Sequence, residues 1–139
     1  MTPVRILGIG SPFGADRLGW QAIDVLEEVA DWPLPVELMR LDRPGVNLLT
    51  ALEGLAGAML IDALAGEDGP PRCLDPQNLA PAGRLSSHAA GVADVLRLGQ
   101  ALECLPPRLA IVGIPAEAKS LDGKRLIRIV RDQLQAWAG

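Results

Sequence analysis

The stretch VRILGIG, residues 4 to 10, is a short apolar run closed by glycines, the pattern of a strand buried on both faces. The next segment decides the kind of sheet this strand joins. From Leu18 the apolar residues Leu18, Ala22, Val25, Leu26 and Val29 recur at three- and four-residue spacing, with Asp24, Glu27 and Glu28 on the other face, until Trp32-Pro33 ends the pattern. A buried strand followed by an amphipathic helix is the opening of a β-α-β unit, and such units build parallel sheets.

The rest of the chain continues in the same alternation. VELMRLD, residues 36 to 42, alternates as a strand does, Arg43-Pro44-Gly45 breaks it, and a short helix is expected through Val46, Leu49 and Leu52. GAMLIDAL, residues 57 to 64, reads as the next buried strand, with Asp62 at its C-terminal end. Residues 66 to 84 are rich in Gly, Pro and Asp and read as a loop with one edge strand at Arg72 to Leu74. Val92, Val95, Leu96, Gly99 and Leu102 then mark a helix whose start is offered a cap by Ser86 or Ser87. RLAIVGIP, residues 108 to 115, is another buried strand, and Leu121 to Trp137 is a final amphipathic helix with Leu126, Ile127, Val130, Leu134 and Trp137 inward. The expected fold class is three-layer α/β/α, one domain over residues 1–139, with a twisted, mainly parallel sheet of about five strands and the first and third strands near its centre.

Composition narrows the function classes. With 139 residues the chain has the length of one domain and can bury roughly two-thirds of its unfolded surface without disulfides or a structural metal. Hydrophobic residues make up 49%, yet no uninterrupted apolar run approaches the ~20 residues of a membrane span, so no membrane insertion is expected. MTPVRILGIG lacks the basic and apolar regions of a secretory signal, which points to the cytoplasm. The net charge of −4 and the lack of a Lys/Arg-rich run like that of a nucleic-acid binder argue against nucleic acid as a partner. Cys73 and Cys104 have no CxxC spacing and read as buried or half-buried thiols.

In such a fold, sites lie beyond the C-terminal ends of the strands. The turn GIGSPFGADRLG, residues 8 to 19, loosely resembles a dinucleotide-binding fingerprint through Gly8, Gly10 and Gly14, with Asp42 where a ribose-binding acid would sit. The third glycine is one place late, Pro12 lacks an amide donor, and Asp16 brings negative charge to the helix N-terminus that a pyrophosphate would need. A second reading joins Asp16, Asp62 and His88, the only histidine, into one site of two carboxylates and one imidazole. That donor set suits a borderline divalent ion such as nickel or zinc, with positions open for a substrate. Each residue also has an ordinary reading. Asp16 can favour the helix dipole, Asp62 can cap a strand-to-loop turn, and His88 can be a hydrogen-bonded residue near a helix start. No nucleophile motif and no HExxH is present, and adjacency of Ser86 and Ser87 to His88 is not a nucleophile–base geometry.

GIGSPFGADRLG, LIDAL, SSHAAGVADVL and LAIVGIP, in that order, resemble the signature blocks of the hydrogenase maturation endopeptidases, which trim the C-terminal extension from the large subunit of [NiFe] hydrogenases. The resemblance spans nearly the whole chain. It implies that Asp16, Asp62 and His88 are both the metal ligands and the catalytic residues, acting through the bound metal. It implies an endopeptidase whose partner is the hydrogenase large-subunit precursor, and whose metal, nickel, is supplied by that substrate as the sign that metal insertion is finished. Another divalent ion, zinc or cadmium, is expected to occupy the same site in a crystal. Hydrolysis through a metal-polarised carbonyl or a metal-activated water are both open.

The chain differs from that family in three places. Ala15 precedes Asp16 where the family often has two adjacent acids, in a loop about one residue shorter. An aspartate stands at the first ligand in place of the commoner glutamate. LDRPG, residues 41 to 45, replaces an LDGGT-like turn expected to engage substrate, which implies altered specificity. The differences at Ala15 and LDRPG are also what would favour an alternative, a non-catalytic assembly partner that binds nickel or the precursor without cutting it. A nucleotide-binding module is the third reading.

Overall fold

The computed structural model describes residues 3–10, 17–42, 46–64, 66–76, 89–118 and 120–139. Among these residues there are five strands and four helices: β1 (Val4–Gly10), α1 (Leu18–Glu27), β2 (Val36–Asp42), α2 (Val46–Leu52), β3 (Gly57–Leu64), β4 (Arg72–Leu74), α3 (Ala89–Ala101), β5 (Arg108–Pro115) and α4 (Gly123–Ala138). The sheet order is β2-β1-β3-β5-β4, with β3 central and β1 beside it. All neighbours are parallel except the edge pair β4·β5, which is antiparallel. The four long strands and the short edge strand coincide with the segments expected from the sequence.

Period-two alternation sorts each central strand between two apolar layers. Val4 and Ile6 of β1, Met59 and Ile61 of β3, and Ala110, Val112 and Ile114 of β5 pack in one cluster with Ala22, Ile23 and Leu26 of α1 and Leu126, Val130 and Leu134 of α4. Leu7 and Ile9, Ala58, Leu60 and Leu64, and Ile111 form the other cluster with Leu48 and Leu52 of α2 and Val92 and Leu96 of α3. Every residue of β3 is buried, as expected of the central strand of a sheet covered on both faces. Helices α1 and α4 therefore cover one face, and α2 and α3 the other.

Two glycines set the distance between α1 and β1. A Cβ on Gly8 would lie 2.2 Å from the Gly19 carbonyl oxygen, and one on Gly19 would lie 2.1 Å from the Ile9 carbonyl oxygen. Backbone meets backbone there, so no flexible side chain can move aside. In this chain Gly8 lies inside the strand, where it serves helix–strand packing. Gly10 ends β1, while Gly14, also invoked for a phosphate cradle, and Pro12, which speaks against one, lie outside the described residues.

Three expectations are corrected. Cys73 is exposed, while Cys104 is half-buried. Cys73 sits on the three-residue strand β4, at the edge of the sheet formed by the described residues. Leu102, expected on the inner face of the third helix, lies beyond the end of α3 and is 62% exposed. α1 stops at Glu27, so Val29 falls outside the helix and is half-buried.

Candidate functional site

The order of the strands locates the crevice. From β1 the chain moves outward to β2, then crosses back over β1 to β3, so the direction of winding reverses between β1 and β3. α1, which comes after β1, lies on one face, and α3, which comes after β3 and β4, lies on the other. In doubly wound sheets this reversal point, at the C-terminal ends of the strands, is where the helices part and ligands bind.

Asp62 lies on β3 at this reversal point. It is 2% exposed, and among the described residues it is the one buried polar or charged side chain. It is not the last residue of β3, because Ala63 and Leu64 continue the strand in register with Ile114 and Pro115. Its place between Leu60 and Leu64 puts it, by alternation, on the face covered by α2 and α3. Across the ladder, its register partner on β5 is Gly113. The carboxylate oxygen Oδ1 accepts a hydrogen bond from the Ala63 amide at 2.8 Å. Placing a carboxylate among fully buried Ile9, Leu60 and Leu64 costs several kcal/mol unless it is compensated, and a fold rarely keeps such a group without a use for it.

Gly113 was not singled out by sequence reasoning, although an isolated glycine inside a strand pattern signals a close approach. A Cβ there would lie 2.6 Å from both Cγ and Cδ1 of Leu64. The glycine lets Leu64 fold across β5 beside Asp62. Beyond the strands, the Ala116 amide donates to the Leu64 carbonyl at 2.9 Å and the Glu117 amide to the Glu67 carbonyl at 2.9 Å, tying the chain after β5 to the chain after β3.

Asp16 and His88 lie outside the described residues, so the structure describes one member of the expected trio. Ala15, Ser86, Ser87 and the Arg43-Pro44-Gly45 turn lie outside them too. The described neighbours fix where the chain enters and leaves. Arg17, directly after Asp16, stands at the start of α1 without a side-chain cap bond. The first turn of α1 is held to the C-terminal edge of the sheet by the Gly8–Gly19 contact and by the Trp20 indole, which donates from Nε1 to the Leu41 carbonyl at 3.3 Å. Ala89, directly after His88, begins α3. α3 ends next to the connection that delivers Arg108 to the start of β5, where its amide donates to the Ala56 carbonyl at 3.2 Å. A 13-residue helix is about 20 Å long. α3 therefore starts at the opposite, C-terminal edge, on the same face as Asp62. Among the described residues no group of three His, Cys, Asp or Glu side chains could hold a metal ion.

Away from the edge, several charges are paired. Arg5 on β1 bonds its register partner Glu37 through Nε at 2.5 Å and the Ala51 carbonyl through Nη1 at 2.7 Å. Arg40 bonds Glu27, at 2.6 Å, and Asp24, and these two acids raise its pKa further, Glu27 contributing most. Burial, and secondarily the Asp132 carboxylate, pushes the Cys73 thiol up, so its thiolate is scarce at neutral pH despite its exposure.

No protein-family model and no curated protein matches the chain. Solved structures do. The hydrogenase maturating endopeptidase HybD from E. coli superposes with a TM-score of 0.61 at 22% identity, covering 97% of this chain and 89% of that one. The [NiFe] hydrogenase maturation protease HycI from Thermococcus kodakarensis gives 0.63 at 19% identity, covering 96% and 93%. A hydrogenase 3 maturation protease gives 0.66 at 17% identity, covering 99% and 92%. Over almost its whole length, this chain has the α/β fold of the hydrogenase maturation proteases.

Proposed function

We propose that this protein is an endopeptidase that removes the C-terminal extension of a nickel-loaded [NiFe] hydrogenase large-subunit precursor. The observation that carries the reading is Asp62. A carboxylate 2% exposed stands at the reversal point of a fold shared with maturation proteases, and sequence blocks resembling that family run through it. The start of α3, after His88, and the start of α1, after Asp16, both come to the same edge of the sheet as Asp62.

In this reading Asp16, Asp62 and His88 hold the nickel ion that arrives with the precursor. Two carboxylates and an imidazole fit a borderline divalent ion better than a hard one such as magnesium. The ion supplies Lewis acidity at the bond to be cut. The chain's own part is orientation and exclusion of water. The Ala63 amide fixes one oxygen of Asp62, and Ile9, Leu60 and Leu64 keep its surroundings dry, which strengthens its attraction for a cation. A dry, prepositioned anion binds a loaded precursor and has nothing to grip in an unloaded one, so cleavage reports completed metal insertion.

The test is incubation with nickel-loaded and nickel-free precursor, read as the mass of the large subunit. Only the loaded precursor should be shortened. His88→Ala and Asp62→Asn should each abolish cleavage, Asp16→Asn should be nearly as severe, and Asp16→Glu should be tolerated. Equal cutting of both precursors, or full activity of His88→Ala, would contradict the reading. Binding without cutting by the unmutated protein would favour the assembly-partner alternative.

A further inference from the structure

The outer face of α4 is a cationic stripe with few internal partners. The helix carries Lys124, Arg125, Arg128 and Arg131 against one acid, Asp132, a surplus of three positive charges in a chain whose net charge is −4. The remainder of the chain is therefore at −7. Leu126, Val130 and Leu134 face the core. At 100° per residue, the four cations fall within an arc of about 120° on the opposite side.

Elsewhere among the described residues four of six arginines pair with acids, while Arg17 and Arg108 are exposed without an ion pair. Arg5 pairs with Glu37, Arg40 with Asp24 and Glu27, Arg72 with Glu67, and Arg97 with Asp94. On α4, Arg131 reaches Asp31 at 3.9 Å and lies 5.2 Å from the Trp32 ring centre. Lys124, Arg125 and Arg128 are exposed and make no ion pair among the described residues. Lys124 and Arg125 also sit in the first turn, which contains no acid. Cations there oppose the helix dipole, so their placement works against the helix itself. The Asp122 side chain, accepting from the Arg125 amide at 3.1 Å, caps the helix but leaves those side chains unpaired.

Position gives the stripe a use. α4 comes after β5, whose end pairs with the end of β3, and its far end returns to the opposite edge, where a Cβ on Gly57 would be 3.6 Å from Trp137. Lys124, Arg125 and Arg128 therefore stand at the same edge of the sheet as Asp62, on the other face. We infer that these three residues form a docking surface for an acidic polypeptide segment of a protein partner. The proposed function is needed only to say which protein carries that segment, the hydrogenase precursor. An acidic segment fits where nucleic acid does not, because a chain at −7 outside this helix repels a long polyanion while a short acidic stretch meets only the stripe.

The test separates docking from cleavage. A fluorescent decaglutamate peptide is titrated with the full-length protein in low salt, followed by anisotropy. The peptide should bind, should be released as salt rises toward 0.5 M, and should bind about tenfold more weakly to the Lys124→Glu, Arg125→Glu, Arg128→Glu triple variant. The triple Gln variant should fall between the two. All three side chains are exposed, so circular dichroism of both variants should match the unmutated protein. On loaded precursor, the Glu variant should raise KM with kcat unchanged. Equal binding by all three proteins, or tighter binding of a ten-nucleotide RNA than of the peptide, overturns the inference. Failure of the unmutated protein to cut loaded precursor would count against the proposed function and leave the peptide titration to decide the docking surface.

Discussion

Asp62 carries the most weight of any described residue. Near-isosteric Asp62→Asn keeps an oxygen for the Ala63 amide and removes the acid with little change of shape. Its stability in thermal or urea unfolding should equal that of the unmutated protein or exceed it by about 1 kcal/mol, while cleavage is lost. A drop of several kcal/mol would mean that the carboxylate is structural. Cys73 offers a second check at this scale. The residue is exposed, yet partial burial of its thiol, and secondarily Asp132, push the thiol up, so it should react with a disulfide reagent at pH 8 more slowly than a free cysteine, and Asp132→Asn should speed the reaction. The sequence already marks Asp62 as an acid in an apolar run. The expected strand already runs two residues past Asp62, to Leu64; what the sequence does not reveal is that the carboxylate ends up buried, 2% exposed. That outcome depends on strands β1 and β5 flanking it, a long-range fact that no local pattern encodes.

The contact between β1 and α1 is the mechanical base of the site, since α1 begins just after Asp16 and Arg17 and its first turn lies against Ile9. Gly8→Ala or Gly19→Ala should each cost more than about 2 kcal/mol, because a methyl group must push one backbone off another. Gly99→Ala should cost less, since its nearest atoms belong to the side chains of Leu105 and Leu49, which can shift. Comparable losses at all three sites would reject the backbone-contact explanation. Strands are legible because buried parallel strands are continuous apolar runs, and VRILGIG, GAMLIDAL and RLAIVGIP end where the ladders end. Helices are legible in their inner faces and less so at their ends. Val29 and Leu102 fit the periodicity, yet the chain leaves the helix before each, toward β2 and β5. Periodicity tells which face is apolar, while the return path to the next strand sets where the helix stops.

As a whole, the molecule is a doubly wound sheet whose C-terminal edge is assembled from elements distant in sequence. Its glycine-rich first turn invites a nucleotide reading, but Gly8 is occupied in packing against Gly19. Titration with NAD, FAD and ATP should accordingly show no micromolar binding; micromolar affinity lost on Gly10→Ala would revive that reading. The proposed function stands or falls on whether Asp16, Asp62 and His88 share one ion, which a crystal structure of the protein soaked with zinc would decide. A single ion should be bonded to one carboxylate oxygen of each aspartate and one nitrogen of His88, at about 2.0 to 2.2 Å. Zinc bound elsewhere with Asp62 left uncoordinated, or side-chain tips of the three residues more than about 10 Å apart, too far for bonds of roughly 2 Å to one ion, would contradict it.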